Sequence, residues 1–538
     1  VLFLYYCDIN TIATTVPTVF ITRKPFVISW LRIIKIWLIY ITIDMKCWCG
    51  IHILTMAKIE IQKEDLQFFR LIWEATFSNP FGQRREDIFE SLGGSPSYKG
   101  HLDPKIQADL DRLITHYQAL GGQKVSDFQT KDQALAKHIF LWQIYHQYAD
   151  LFDLFIEDQD NIPSAGEHVV FAKSILDKMS LVGLAKAEST FYLALFYQLR
   201  RGWYFIVRGL VGCSKPMRKL RMDLWNTLFT SDMFQYETLL FDRMEDFSTM
   251  LLGPTGAGKG ACARAIGKSG FIPFDVKAGK FKASFNDTFV SVNLSEYPET
   301  LLESELFGHA KGSFTGAITG HDGVLSTCSR HGSIFLDEIG DVSGAVQLKL
   351  LKVLDERLFS QVGSHATKRF DGRVIAATNQ SLDQLRLDGK FRDDFYYRLC
   401  SDVIEVPSLH ERFAECREEL EMLVKHCVEG IVGQSSCAVV DQVLEVIDQK
   451  LGATYLWPGN VRELAQCVRS VLVKKSYSGD KQLPLSDLET VMATGEMTAQ
   501  ALTKRYCEIL YHHMGSYADV ANKIDLDWRT VKKYLSDD

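Results

Sequence analysis

From Lys58 to Thr230 apolar residues recur at spacings of three and four, as in His138–Tyr145 (HIFLWQIY) and Phe191–Tyr197 (FYLALFY). That is the period of helices with one buried face. Gly93-Gly94 and Gly121-Gly122 punctuate the run as turns. Near Phe247 the pattern changes, and short apolar runs alternate with amphipathic stretches. This predicts a parallel sheet flanked by helices, with strands at Thr249–Leu252, Phe289–Val292, Ser333–Leu336, Val374–Ala377 and Val403–Val406. From Glu411 to Lys475 the helical period returns, as expected of a lid, and a polar linker containing Gly479, Pro484 and Gly495 leads to a small helical unit. The expected division is therefore 56–230 helical and regulatory, 231–408 α/β, 409–480 helical lid, 481–499 linker and 500–538 all-α.

Composition changes this picture little. The 538 residues are 46% hydrophobic and 24% charged, ordinary for a globular protein. A net charge of −7 excludes a broadly basic nucleic-acid surface, so any DNA contact must be local. The 12 cysteines show no zinc-type pair of pairs, which points to a reduced, cytoplasmic setting. Residues 1–55 stand apart, with no Glu or Gln and a first Met only at Met45. Their apolar run, Phe26 to Ile43, is broken by Arg32 and Lys35, whereas a membrane span wants charges at its ends. A poor anchor, an odd targeting segment and mistranslated upstream sequence stay open; the third fits best, with Met56 as the start. Aromatic richness between 58 and 230 suggests a ligand pocket, but core packing is the plainer reading.

The chemistry concentrates in the α/β segment. Gly253, Pro254, Thr255, Gly256, Ala257, Gly258 and Lys259 follow a strand and open a helix, the context of a phosphate-binding loop. Backbone N–H groups and the helix N-terminus cradle phosphates, and Lys259 reaches the outer ones. Gly260 stands where many such loops place a Ser or Thr for magnesium. A strand ending in Asp337 and Glu338 supplies a magnesium ligand (Asp337) and a base for the attacking water (Glu338). Thr378 and Asn379 end another strand as candidates to sense the γ-phosphate.

At the C-terminus, Tyr517, Val520, Ala521 and Ile524 share one helix face, Asp527 is a candidate cap, and Val531 and Leu535 face inward on a second helix. This is helix-turn-helix spacing, with Trp528, Arg529, Thr530, Lys532 and Lys533 on the outer, DNA-facing side. From Thr503 to Asp538 there are six basic and six acidic residues, so tight binding would need several units side by side.

Several motifs together resemble one family. Gly308–Ala317 (GHAKGSFTGA), the preceding Glu303–Gly308, Asp371–Asn379, Phe391–Leu399 and Trp457–Leu464 (WPGNVREL) are similar to the bacterial enhancer-binding proteins, the sigma-54-dependent AAA+ activators with a Fis-like helix-turn-helix. The resemblance implies an AAA+ P-loop ATPase with a helical lid, assembling as dimers up to a hexameric ring, using ATP and Mg²⁺. It implies sigma-54 contact by Gly312, Ser313, Phe314, Thr315, Gly316 and Ala317, with Phe314 and Thr315 at the tip. Arg392 and Arg398 would be fingers toward a neighbouring subunit, Arg462 the lid's nucleotide sensor, and Asn293 a partner restraining Glu338. The implied partners are sigma-54 RNA polymerase and upstream DNA, without stable membrane association. The chain departs at Ser313 (usually Ala), at Gly260 and at His410 (often Arg). A non-hydrolysing DNA-binding regulator and an AAA+ protein-remodelling chaperone remain the alternatives.

Overall fold

The computed structural model describes residues 58–94, 103–162, 168–313, 317–434, 436–452, 455–479, 498–514 and 516–536. The leader 1–55 and most of the linker 481–499 lie outside the described residues. The chain divides at Ile59/Glu60 into two units, and the described helices and strands lie in the second, residues 60–538.

The helical region contains α1 (Lys63–Phe77), α2 (Gln83–Ser91), α3 (Pro104–Ala119), α4 (Gln133–Asn161), α5 (Ala172–Leu181), α6 (Lys186–Gly209) and α7 (Lys215–Phe229). Local chemistry sets their ends. Asp103 accepts from Lys105 N at the start of α3, where Pro104 loses no helical bond. The α/β segment follows with β1 (Thr249–Leu252), α8 (Lys259–Gly267), β2 (Phe289–Asn293), β3 (Ser333–Asp337), α9 (Gly344–Glu356), β4 (Arg373–Thr378), α10 (Asp393–Leu399) and β5 (Asp402–Glu405). The strands form one five-stranded sheet in the order β2-β3-β4-β1-β5. Every pairing in it is parallel. Each predicted strand exists, within one residue at either end. All of β4 is buried, as a strand covered on both faces must be. Two short antiparallel hairpins, Phe274–Asp275 with Lys280–Phe281 and Leu358–Ser360 with Thr367–Arg369, are too brief to show in the pattern.

One face of the sheet packs on α9 and α10, burying Leu336, Val346, Leu350 and Phe395. The other face belongs to a core that runs without a break from the sheet through α8 into α4, α6 and α7. The division near residue 230 is thus a division in sequence and not in packing. Arg201 of α6 is fully buried and donates to Lys268 O and Gly270 O, both at 2.7 Å. These carbonyls follow the last turn of α8, where helix dipole and orphan acceptors favour a cation. Gln198 adds a bond to Ser269 O at 3.0 Å.

The lid comprises α11 (Leu409–Glu415), α12 (Glu418–Val432), α13 (Cys437–Lys450) and α14 (Asn460–Lys474), around Leu423, Val424, Val443, Trp457 and Leu464. A Ser408–Glu411 capping box starts α11. At the C-terminus α15 (Ala499–Met514), α16 (Tyr517–Lys523) and α17 (Trp528–Ser536) enclose Cys507, Val520, Ala521 and Val531. Among the described residues, no helix is long and apolar enough to cross a membrane.

Candidate nucleotide-binding site

The parallel order brings β1, β3 and β4 side by side, so the residues after their carboxyl ends share one edge of the sheet. The loop after β1 turns into α8 at Lys259. Lys259 is buried, and its Nζ donates to Gly253 O at 2.8 Å and Pro254 O at 3.4 Å. Burial lowers its pKa; nearby Glu338 and Asp337 oppose that, and Arg462 adds to it. Among the described residues its hydrogen bonds go only to these neutral carbonyls, and such an ammonium gains strongly from an anionic phosphate.

Asp337 ends β3, and Glu338 follows with a left-handed φ of 56°. That backbone is rare for a residue with a side chain and is characteristic of functional turns. Asp337 Oδ1 accepts from Glu338 N at 3.1 Å, and Glu338 Oε2 is buried without a partner among the described residues. Thr378, fully buried at the end of β4, accepts from Gln380 N at 3.1 Å. Asn379 Nδ2 donates to Thr255 Oγ1 at 2.7 Å, tying this edge to the loop.

The lid closes on the same loop. Asn460 Nδ2 donates to Thr255 O at 3.0 Å while its Oδ1 accepts from Leu409 N at 2.8 Å. Val461 N donates to Gly256 O at 3.1 Å. Gly256 has φ +77°, and a Cβ there would lie 2.3 Å from Gly459 O and 3.1 Å from Arg462 Cβ. Arg462 therefore borders the loop. Glu463 accepts from Gly459 N at 2.8 Å and from Tyr477 Oη at 3.2 Å. Reading Trp457–Leu464 as a motif singled out Arg462 alone. Asn460 and Glu463 organise the contact, and the signal was their place in the same eight residues.

Other expected residues lie elsewhere. Asn293 pairs in register with Asp337, but its side chain donates to Glu296 Oε1 at 3.1 Å and accepts from Ser295 N at 3.1 Å. The expected bond to Glu338 is not formed, because both polar ends of the amide are satisfied by the turn after β2. Arg392 grips exposed Asp394 at 3.0 and 2.6 Å. Arg398 donates to Leu354 O at 3.1 and 2.7 Å and pairs with Asp355 at 3.0 Å. Local acceptors, not the loop after β1, hold both arginines.

At the base of the Gly308–Ala317 loop, Gly312 N donates to Ala317 O at 2.8 Å and Ser313 N to Ala310 O at 3.2 Å. Phe314, Thr315 and Gly316 lie outside the described residues. For magnesium, Asp337 is the carboxylate at hand, while Gly260 offers no hydroxyl. One or two carboxylates plus substrate phosphates suffice for that ion, so the donor set fits. In the C-terminal unit Asp527 Oδ1 caps α17 through Arg529 N at 2.8 Å. Trp528, Arg529, Lys532 and Lys533 are exposed and Thr530 is half-buried.

Residues 231–405, which hold the sheet, the loop after β1, Asp337-Glu338, Thr378-Asn379 and both arginines but not the lid, match the model of the Sigma-54 interaction domain. The chain carries a sigma-54 interaction domain. It is similar to the Nif-specific regulatory protein of Azospirillum brasilense, 37% identical over 268 residues, 49% of this chain and 39% of that protein. It is also similar to the transcriptional regulatory protein ZraR of Escherichia coli (strain K12), 34% identical over 296 residues, 54% and 63% of the two chains. These relatives are matched over less than two thirds of their length. Among solved structures, NtrX from Brucella abortus in complex with ADP aligns at TM-score 0.38 and 20% identity, covering 72% of this chain and 85% of that one.

Proposed function

We propose that this protein is an ATP-driven transcription activator that remodels the closed promoter complex of RNA polymerase carrying sigma-54. The observation that carries the reading is the meeting of the Lys259 loop, Asp337-Glu338 and Thr378-Asn379, all within the residues that match the Sigma-54 interaction domain, with the Asn460–Arg462 lid contact at one sheet edge.

ATP lies along the loop from Gly253 to Gly260, with Lys259 turned from its own carbonyls to the outer phosphates. Glu338 takes the proton of the attacking water as its oxygen bonds to the γ-phosphorus and ADP leaves with the bridging oxygen. Asp337 would hold a magnesium ion, which would supply charge neutralisation on the phosphates. Thr378 and Asn379 read the γ-phosphate and Arg462 reports it to the lid. Arg392 and Arg398 act on the nucleotide of a neighbouring copy in a ring, a contribution worth roughly a thousand-fold in rate or more. Each cycle moves the loop bearing Gly312, Ser313, Phe314, Thr315, Gly316 and Ala317 against sigma-54. Upstream DNA is held by Trp528, Arg529, Thr530, Lys532 and Lys533.

The test is Thr315→Ala, assayed for ATP turnover and for open-complex formation on a sigma-54 promoter. Turnover should persist while open complexes are lost. Full transcription by this variant removes the loop from the mechanism, and a parent chain without ATPase activity in any assembly state removes the mechanism itself.

A further inference from the structure

The helical region encloses a cavity of about 650 Å³ between α1, α2, α4, α6 and α7, with Met422 of the lid helix α12 in its wall. Its volume is that of small-molecule sites. The lining is aromatic: Phe81 stacks on Trp203 at 5.0 Å and 4°, and Trp142, Tyr145 and Trp225 complete the walls. Phe152 and Tyr197 of α4 and α6 fill the core, while Trp142, Tyr145 and Trp203 of the same two helices border this space.

The polar groups of the lining are unevenly satisfied. Arg200 is paired with Asp153, Arg218 with Glu86 and Lys215 with Glu415. Arg221 donates to the carbonyls of Leu210 and Gly212, both at 2.6 Å. Arg85 differs. Its guanidinium lies 5.3 Å from the Phe89 ring and 5.5 Å from the Trp142 ring. Among the described residues it has no carboxylate or hydrogen-bond acceptor. Burial holds its pKa down at about 10, so it stays charged at neutral pH. Beside it, the Nε1 donor of Trp142, itself 4% exposed, is buried without a partner among the described residues. Arg85 is half-buried, and a cation without a counter-charge beside an orphan N–H in an aromatic chamber costs stability unless an anion answers them.

The chamber is also bolted to the lid. Val211, Gly212 and Cys213 line it. Glu419 of α12 accepts from Cys213 N at 2.8 Å and Ser214 N at 2.6 Å, and Arg412 of α11 donates to Val211 O at 2.6 Å. Arg412 and Glu419 form a buried ion pair. The same lid carries Asn460 and Arg462 to the nucleotide loop.

We infer that this cavity is a regulatory site for a small aromatic carboxylate, its carboxylate on Arg85 and Trp142 Nε1–H and its ring among Phe81, Trp203 and Trp225, and that occupancy acts on the nucleotide site through the 211–214 segment and the lid. Binding stands independently of the proposed ATPase; only the coupling rests on that reading.

The experiment is calorimetric titration of the full chain with phenylacetate, 4-phenylbutanoate and 2-naphthoate, each against its neutral amide. ADP affinity is then measured with and without the tightest acid. At least one acid should bind saturably, its amide about tenfold more weakly or worse, with a comparable loss in Arg85→Gln and partial retention in Arg85→Lys. The bound acid should shift ADP affinity by about threefold or more, and not in Arg85→Gln. No saturable binding by any acid, or equal binding of acid and amide to the parent chain, overturns the site whether or not the variants fold. Binding that leaves ADP affinity unchanged overturns the coupling. Binding intact in a chain that does not hydrolyse ATP counts against the proposed function alone.

Discussion

Replacing Glu419 by alanine should release the 211–214 segment from the lid. The Glu419 carboxylate is fully buried and accepts from Cys213 N, Ser214 N and the Arg412 guanidinium. Truncation leaves a guanidinium that is 4% exposed with the Val211 carbonyl still accepting from it, and strands two backbone donors. Breaking a buried pair by removing one partner costs roughly 3–5 kcal/mol. Each orphaned N–H costs about 1–3 kcal/mol alone, but all three losses share one hole and do not add. The expected total therefore stays at about 3–5 kcal/mol. At about 1.4 kcal/mol per tenfold, amide protection at Cys213 and Ser214 should fall by roughly a hundred- to a few-thousandfold. Hydrogen exchange read by mass spectrometry on the peptide spanning them measures this. Glu419→Gln, which keeps one acceptor oxygen, should lose about tenfold. A fall of less than about tenfold in the alanine variant would refute the bolt as an energetic link.

Glu338→Ala should bind ATP within about twofold of the parent and lose turnover by about a hundredfold or more, because only the proton acceptor is removed; near-normal phosphate release would exclude that role. Gly256→Ala adds a Cβ 2.3 Å from Gly459 O on a backbone at φ +77°. Strain of about 1–2 kcal/mol should separate lid from loop and weaken ADP binding roughly tenfold by calorimetry; unchanged affinity would show the lid contact to be dispensable. Cys213 and Cys416 have their sulfurs 2.8 Å apart, 203 residues distant in sequence. A diazene oxidant such as diamide, reduced as it takes up two electrons and the two thiol protons, should join them, and a non-reducing peptide map should show the crosslink. Burial and the Cys416 neighbour push the Cys213 thiol up to about 12. Thiolate at Cys213 is thus scarce at neutral pH and grows as pH rises toward that value, so crosslinking should accelerate with alkalinity. Separate alkylation of both thiols after oxidation would count against the contact.

What the sequence by itself determined is what depends on neighbours along the chain. The run from Thr249 through Gly253 to Lys259 declares strand, turn and helix because the glycines and the change of period lie within one short stretch. Asp337-Glu338 and Thr378-Asn379 were legible as strand ends for the same reason, and the C-terminal helix pair from its inward faces at Val520, Ala521 and Val531. Tertiary structure decided what depends on partners far away. Asn460 reaches Thr255 across 205 residues, and Glu419 reaches Ser214 across a like distance. No local spacing encodes such pairs. Asn293 turned to Glu296 because a donor and an acceptor within its own turn compete at short range with Glu338. The aromatic residues of α1, α2, α4, α6 and α7 carry the same periodicity whether they meet in a core or surround a chamber. Only the helices' mutual packing leaves about 650 Å³ between them and sets Arg85 at its edge without a counter-charge among the described residues.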